Sequence, residues 1–298
     1  MTLNVFYHPL YTDGIDPDAR FPRDRYRLLA QRLAKYPNIQ LIEPRQATLE
    51  ELTLAHDPAY VERFITGTLS DREIRTIGLK PWKPEIVPRT LHLTGGSLQA
   101  LEHVLEHGGV AGNLAGGTHH AFKESGAGYC VFNDIAVCAL IALKKEHINR
   151  VLVLDLDVHQ GDGTAAMLGD HPDVFTCSIH GAKNFPFRKQ KSDLDIELAD
   201  DANDFDYLNA LDRVLCDHPL NTFDLILFQA GVDALSTDRL GRLAITREGM
   251  AKRNDRVLSA AQAAGVPIVV LMGGGYSEPI EHTVDAFEDL FGSAAAFA

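Results

Sequence analysis

The residue types best suited to metal chemistry lie in one short run, Asp155-Leu-Asp-Val-His-Gln-Gly-Asp-Gly. Residues two apart on an extended segment point to the same side, so Asp155, Asp157 and His159 are expected to project together. Asp233, in the later segment Ala230-Gly-Val-Asp, adds a further carboxylate. Two carboxylates and one imidazole leave a zinc coordination position for water, which is typical of a catalytic site. An isolated Asp-x-Asp is more often a pair of loop carboxylates, but the longer run and the second segment together favour a mononuclear zinc site.

Two adjacent histidines and one tyrosine could supply proton transfer and charge stabilisation beside such a metal. His119 and His120 lie in a glycine-rich segment, and Asp155 and Asp162 are available to orient their rings. Tyr276 follows three consecutive glycines and could donate a hydrogen bond to a developing oxyanion. Taken alone, the histidines would be surface residues and the tyrosine part of an ordinary turn. The prediction therefore depends on a fold that brings them to the metal.

The elements that must position these residues follow from the apolar pattern. Four apolar runs are predicted to be buried parallel strands, at residues 109–114, 151–155, 224–228 and 267–272. Helical patterns occur at residues 24–35, 48–64, 88–106, 133–145, 205–216 and 246–264. This alternation predicts an α/β fold with an open, doubly wound parallel sheet flanked by helices, and we expect residues 1–298 to form a single domain. Each polar segment follows one of the four strands, and ligand sites form beyond the carboxyl ends of parallel strands.

The composition narrows the choice of partner and compartment. The chain has 41 acidic and 28 basic residues, a formal charge of −13, which disfavours direct binding to nucleic acid and favours cationic partners. No stretch approaches the ~20 apolar residues needed to span a bilayer, so we expect a cytoplasmic protein without a membrane span. Four cysteines without a Cys-x-x-Cys pair are expected to be buried, reduced thiols: Cys130, Cys138, Cys177 and Cys216.

Six segments occur in an order and at a spacing that are specific when taken together. They are Gly116-Gly-Thr-His-His-Ala, Gly128-Tyr-Cys-Val-Phe-Asn-Asp, Asp155-Leu-Asp-Val-His-Gln-Gly-Asp-Gly-Thr, Ser178-Ile-His, Ala230-Gly-Val-Asp and Gly273-Gly-Gly-Tyr. In this combination the chain resembles the histone deacetylase family over most of its length, which implies the arginase/deacetylase fold. Many members have a second histidine where this chain has Gln160. In this respect the chain is similar to the class IV branch, as a bacterial-type single-domain member.

The resemblance implies zinc-dependent hydrolysis of acyl-amide bonds. The implied ligands of one zinc ion per chain are Asp157, His159 and Asp233. The implied catalytic residues are His119, His120, Tyr276, Asp155 and Asp162. By resemblance, His120 is the general base and acid and pairs with Asp162, whereas His119 gives electrostatic help and pairs with Asp155. Tyr276 is the implied donor to the oxyanion.

The resemblance also implies a substrate tunnel and a second ion. Gly128, Tyr129 and Phe185 correspond to residues that line the tunnel for the lysine methylenes, although core packing is the usual role of an aromatic side chain. Asp155 and Ser178, together with backbone carbonyls, correspond to a site for a monovalent cation. Potassium is therefore a further expected ion.

Several substrates are compatible with this set of residues. The implied substrate is an acyl-lysine protein or peptide, or an acylated small amine. The alternatives are an acylpolyamine amidohydrolase, which the acidic net charge would suit, and a non-catalytic module that binds acyl-lysine. Similarity to class IV further implies removal of long fatty-acyl groups in preference to acetyl. That preference requires an apolar channel beyond the zinc, near Gly116 and Gly274.

Overall fold

The computed structural model describes residues 2–298. Its strands are β1 Leu3–Phe6, β2 Ile39–Ile42, β3 Val110–Asn113, β4 Val151–Asp155, β5 Val174–Gly181, β6 Leu194–Leu198, β7 Leu225–Gln229 and β8 Ile268–Leu271. Over the described residues they form one sheet of eight parallel strands in the order β2-β1-β3-β8-β7-β4-β5-β6. The predicted α/β architecture with an open parallel sheet is confirmed.

Helices connect the strands and pack in two sets. The helices are α1 Leu10–Asp13, α2 Asp24–Leu33, α3 Leu49–Thr53, α4 Pro58–Ile65, α5 Asp71–Ile77, α6 Ile86–His107, α7 Asp134–Ala142, α8 Asp162–Leu168, α9 Asp204–Asp217, α10 Arg247–Ala264 and α11 Glu281–Phe297, with a short 3-10 turn at Leu220–Thr222. Helices α6, α7 and α8 pack together in one set, and α2, α9, α10 and α11 in the other. The sheet lies between them, as expected for parallel strands joined by helical crossovers.

The four strands predicted from apolar runs are four neighbours in the sheet, β3, β8, β7 and β4. Every residue of these four strands is buried, because helices cover the strands on both faces. Their carboxyl ends consequently lie side by side. The remaining strands were not predicted. The edge strands β2 and β6 carry exposed polar residues such as Gln40 and Glu197, so neither forms a continuous apolar run.

One predicted helix is divided in the structure. Residues 48–64 form α3 and α4, with a break before Pro58. Proline fixes the first turn of a new helix, and the Asp57 side chain accepts hydrogen bonds from the N–H groups of Ala59 and Tyr60. The start of α10 agrees with its prediction, because the Thr246 hydroxyl caps that helix.

The cysteine prediction is correct for three residues and wrong for the fourth. Cys130, Cys138 and Cys177 are buried free thiols, whereas Cys216 is a free thiol that is exposed. Cys216 lies in the last turn of α9, on the face of the helix that does not pack against the core.

No helix among residues 2–298 is both long enough and apolar enough to cross a membrane.

Candidate active site

Two of the polar segments meet beyond the carboxyl ends of β4 and β7. Asp157 and His159 follow β4, and Asp233 follows β7. His159 Nδ1 lies 3.1 Å from Asp157 Oδ1 and 3.0 Å from Asp233 Oδ2. All three side chains are buried, and one ligand atom from each lies within 4.8 Å of the other two. These distances suit a single ion held between the three groups.

Backbone amides and two glycines fix the positions of the two carboxylates. Asp157 Oδ2 accepts a hydrogen bond from the Gly274 N–H at 2.7 Å, and Asp233 Oδ1 accepts one from the Val158 N–H at 2.9 Å. A Cβ atom at Gly274 would collide with Asp233, and one at Gly231 would collide with Asp157. Glycine at these two positions therefore allows the backbone to approach the carboxylates this closely.

The charge balance of this cluster favours a bound cation. Burial and the charge of Asp157 raise the pKa of Asp233 to about 7. Burial lowers the pKa of His159, but the charges of Asp233 and Asp157 outweigh burial and raise it to about 10. A buried pair of carboxylates is costly unless a cation neutralises it. Two carboxylate oxygens and one imidazole nitrogen are donors that divalent transition metals accept, so the cluster fits such a metal and leaves coordination positions open.

Each of the two adjacent histidines is held by its own carboxylate. His119 Nδ1 lies 2.7 Å from Asp155 Oδ2, and His120 Nδ1 lies 2.7 Å from Asp162 Oδ1. The centroids of the two imidazole rings are 4.1 Å apart. Because Asp162 engages Nδ1 of His120, Nε2 is the nitrogen of that ring that can exchange a proton with water or substrate.

The two histidines differ in pKa. Burial lowers the pKa of His119, but the charges of Asp155 and Asp157 outweigh burial and raise it to about 9. Burial lowers the pKa of His120 to about 4, and the positive charge of His119 acts in the same direction. At neutral pH His120 is therefore the uncharged ring, which is the form that a general base requires.

Tyr276 lies beside the ligand cluster. Its ring centroid is 6.5 Å from that of His159, and the guanidinium carbon of Arg25 is 5.7 Å from the tyrosine ring centroid. The Tyr276 N–H donates to Asp238 Oδ2 at 2.6 Å, which fixes the backbone where it leaves the glycine run. Burial raises the pKa of the Tyr276 phenol well above its usual value. The phenol is therefore protonated at neutral pH and can act as a hydrogen-bond donor.

An open cavity of about 1210 Å³ leads to His120, His159 and Tyr276. The predicted tunnel residues Gly128, Tyr129 and Phe185 also line this cavity; the Phe185 ring packs edge-on against His120 with the centroids 4.9 Å apart. Tyr129 has a φ of +68°, a left-handed conformation that is rare for tyrosine. The structure thus places the predicted tunnel residues at the entrance to the candidate site.

A second, inner cavity adjoins the same residues and is much smaller. Its volume is about 40 Å³, and its walls include Gly116 and Gly274. Arg25 and Arg89, both buried, also line it. The space beyond the candidate metal ligands is therefore small, and two buried arginines line it.

The two side chains predicted to bind a monovalent cation lie on adjacent strands. Asp155 ends β4 and is paired in register with Ser178 on β5. Asp155 Oδ1 accepts a hydrogen bond from the Asp157 N–H at 3.1 Å, and Ser178 Oγ lies 2.9 Å from His180 Nδ1. The predicted pair is thus brought together beside the segment that carries two of the candidate metal ligands.

Three buried polar side chains that hold the site were not predicted. Gln229 Nε2 donates to Asp157 Oδ2 at 3.1 Å. Arg25 donates to two carbonyls of the glycine run at residues 273–275, at 2.9 and 3.0 Å. Arg253 donates to two carbonyls at residues 230–231, at 2.6 and 3.0 Å. For the two arginines a sequence signal was available, because each lies on the apolar face of an amphipathic helix, where a charged group requires a buried partner.

Comparison with known proteins agrees with this geometry. Residues 19–288 match the sequence profile of the Histone deacetylase domain. The chain belongs to the histone deacetylase family. Its chemistry is therefore amide hydrolysis of the deacetylase type, in a family that is typically metal-dependent.

The similarity of this family member to its relatives extends well beyond the site segments. It is 43% identical over 288 residues to an uncharacterized protein of Picosynechococcus sp. (strain ATCC 27264 / PCC 7002 / PR-6), covering 95% of each chain. It is 29% identical over 260 residues to Histone deacetylase 2 of Arabidopsis thaliana, covering 84% of this chain and 67% of that protein. It is 30% identical over 264 residues to Histone deacetylase clr6 of Schizosaccharomyces pombe, covering 81% of this chain and 64% of that protein. The match thus includes the scaffold as well as the motifs.

Gln160 joins the segment that carries Asp157 and His159 to the loop that carries Phe185. Its buried side chain donates to Gln190 O and Asp195 Oδ1, both at 2.7 Å, and accepts from the Gln190 N–H at 2.9 Å. We expect Gln160→Ala to raise KM by about tenfold with unchanged metal content, because a lost buried hydrogen-bond set costs about 1–3 kcal/mol and frees that loop. Steady-state kinetics with metal analysis measures both quantities.

The matched control is Gln190→Ala, since Gln190 takes part in this contact only through its backbone N–H and carbonyl. This control should keep the wild-type KM. Equal KM values for Gln160→Ala and the wild type would remove the positioning role.

Proposed function

We propose that this chain hydrolyses N-acyl-lysine amides with one zinc ion per chain. The observation that carries the proposal is the position of Asp157, His159 and Asp233 beside two carboxylate-bound histidines, at the inner end of an open cavity. A metal site alone would suit many reactions. An open set of ligands next to an uncharged histidine suits attack by an activated water. Zinc is assigned because three protein ligands of these types with an open position are typical of catalytic zinc.

The residues of the chain divide the reaction between them. When bound, the zinc ion would polarise the scissile carbonyl and lower the pKa of the attacking water. His120 takes the proton of that water through Nε2, while Asp162 holds Nδ1 and fixes the ring. His119, paired with Asp155, stabilises the charge that develops beside it. The Tyr276 hydroxyl donates a hydrogen bond to the carbonyl oxygen as that oxygen becomes negative. His120 then returns the proton to the departing lysine amine.

The test is hydrolysis of an acetyl-lysine peptide by the purified protein, measured before and after removal of the metal by a chelator. We expect activity to be lost with the metal and to return when zinc is added, because without the metal His120 would have to deprotonate a water of unperturbed pKa that attacks an unpolarised carbonyl. Peptide binding without turnover in the zinc-loaded protein would instead support the alternative of a non-catalytic acyl-lysine module.

We further propose that the acyl group is short, in place of the long fatty-acyl group expected from the class IV resemblance. A long chain needs an apolar channel beyond the metal ligands. The inner cavity of about 40 Å³ has room for roughly two or three water molecules, and Arg25 and Arg89 line it. An acetyl group fits such a space, whereas about ten further methylenes would have to displace packed side chains or buried guanidinium groups.

We therefore expect acetyl-lysine to exceed dodecanoyl-lysine in kcat/KM by about tenfold or more, since forced overpacking typically costs about 1–3 kcal/mol. The measurement uses one peptide sequence carrying either group, below any micelle formation. Leu93 lines the inner cavity, so Leu93→Ala should reduce the ratio by enlarging that space. A wild-type enzyme that prefers dodecanoyl would show that the inner cavity opens and would restore the long-acyl expectation.

Two finer assignments complete the proposal. Gln160 supports placing the chain in the class IV branch. The adjacent Asp155 and Ser178 support a potassium ion next to the zinc ligands, where it would help to fix the segment that carries Asp157 and His159.

A further inference from the structure

The entrance of the large open cavity has a net charge opposite in sign to the net charge of the whole chain. Over the whole sequence acidic residues outnumber basic ones by 41 to 28. Around this cavity six basic side chains face a single acidic one, Asp18. The six, which we call the basic rim, are Arg20, Arg75, Lys80, Lys183, Arg239 and Arg242. All six are exposed, so their charges are available to a molecule that approaches the site.

Carboxylates of the chain neutralise only part of the basic rim. Lys183 and Arg242 share one partner, Asp200, at 3.3 and 3.1 Å. Arg239 is paired with Glu278 at 3.1 Å. For the other three cations, no carboxylate oxygen of residues 2–298 lies within ion-pair distance; these are Arg20, Arg75 and Lys80. The entrance therefore keeps a net positive charge on a strongly acidic protein.

The rim cations come from four separate parts of the chain. Arg20 precedes α2, Arg75 lies in α5 and Lys80 follows it. Lys183 follows β5, and the last two, Arg239 and Arg242, lie between β7 and α10. Charges that surround a low-dielectric cavity focus the potential into it and raise the local concentration of oppositely charged ligands. The arrangement would repel a polyamine or a lysine-rich peptide and attract an anionic one.

The size of the entrance suits an extended partner. A cavity of about 1210 Å³ is larger than most pockets for small molecules, which hold roughly 300–1,000 Å³. Two exposed apolar side chains lie among the rim cations, Phe187 at 88% and Leu240 at 45% exposure. A single acylated amine would leave most of these groups unoccupied, whereas residues on both sides of an acyl-lysine would reach them.

We propose that the substrate of this site is an acyl-lysine flanked by carboxylate side chains in an acidic protein segment. The inference rests on the proposed deacylase function and identifies its substrate class. The acyl-lysine enters the cavity, and the neighbouring glutamates or aspartates pair with Arg20, Arg75 and Lys80. This substrate class is the opposite of the cationic partners that the net charge of −13 led us to expect.

The experiment compares three peptides that differ only in the residues flanking one acetyl-lysine, which are glutamate, glutamine or lysine. We expect kcat/KM to fall by about tenfold from the glutamate to the glutamine peptide and further for the lysine peptide. Between 50 and 500 mM salt the glutamate advantage should shrink, because salt screens exposed charges. Free Nε-acetyl-lysine and acetylspermidine are assayed with the same preparation as representatives of small amines.

The variants Arg20→Gln, Arg75→Gln and Lys80→Gln, singly and combined, should reduce the ratio of kcat/KM for the glutamate peptide to kcat/KM for the glutamine peptide. The matched control is Lys144→Gln with Lys145→Gln, two exposed cations between α7 and β4, on the side of the sheet where β4 begins and opposite the carboxyl ends of the strands. This control alters the net charge without altering the rim, so it should keep the full preference.

The outcomes separate this inference from the proposed function. Equal rates for the three peptides, or a faster lysine peptide, would overturn the substrate class while leaving deacylation intact. Free acetyl-lysine or acetylspermidine turned over as well as the glutamate peptide would overturn the extended acidic partner in favour of a small amine. Failure to hydrolyse any of the substrates with zinc bound would contradict the proposed function itself.

Discussion

Replacing Asp157, His159 or Asp233 by alanine should remove the bound metal and the activity together. Each residue offers one of the three proposed protein donors, and the loss of one leaves the others with an incomplete ligand set. We expect about one zinc per wild-type chain, roughly a tenth of that in each variant, and a fall in kcat of about a thousandfold. Elemental analysis and kinetics on the same preparations measure both.

A control must separate loss of metal from loss of fold. Asp170→Ala removes an exposed carboxylate in the turn between α8 and β5, so this variant should keep its zinc and its activity. Asp233→Asn preserves the shape of the side chain and should still lose the metal, while its circular dichroism stays that of the wild type. Stoichiometric zinc in all three alanine variants would contradict the assignment of the ligands.

The centre of the sheet and the candidate site could be predicted because both depend on short-range signals. Buried parallel strands must be apolar on both faces, and this made β3, β4, β7 and β8 visible as continuous runs. These strands are parallel neighbours, so the polar residues that follow them had to meet beyond the carboxyl ends of the strands. Asp157 and His159 lie two positions apart on the segment that follows β4, and this spacing accounts for the short distance between their side chains.

The rest depends on contacts between distant segments, for which the sequence has no local pattern. Arg25 meets the glycine run about 250 positions later, and nothing near either segment indicates that contact. The basic rim combines residues from four segments, while the overall composition pointed to the opposite charge. The volume of the inner cavity depends on how whole side chains pack, and similarity to a branch of the family says little about it.

Tyr276→Phe should lower kcat by about two orders of magnitude and leave zinc content and folding unchanged. The substitution removes only the hydroxyl, a protonated donor beside the proposed metal ligands. A donor directed at a developing oxyanion is used far more in the transition state than in the bound substrate. Removal of one such donor in other enzymes costs about 10²–10³ in kcat, or ~2.7–4 kcal/mol. The loss should therefore appear in kcat, with KM changed little.

The control for this prediction removes a tyrosine hydroxyl elsewhere. Tyr7 is partly buried and packs edge-on against Tyr11, outside both cavities, so Tyr7→Phe should keep the wild-type kcat. A transition-state analogue adds a second readout, because the Tyr276→Phe variant should bind it about a hundredfold more weakly while binding of the intact substrate is nearly unchanged. If the variant instead kept its kcat and lost affinity for the substrate, Tyr276 would be a binding residue. The negative charge of the intermediate would then have to be stabilised by the metal and the two histidines alone.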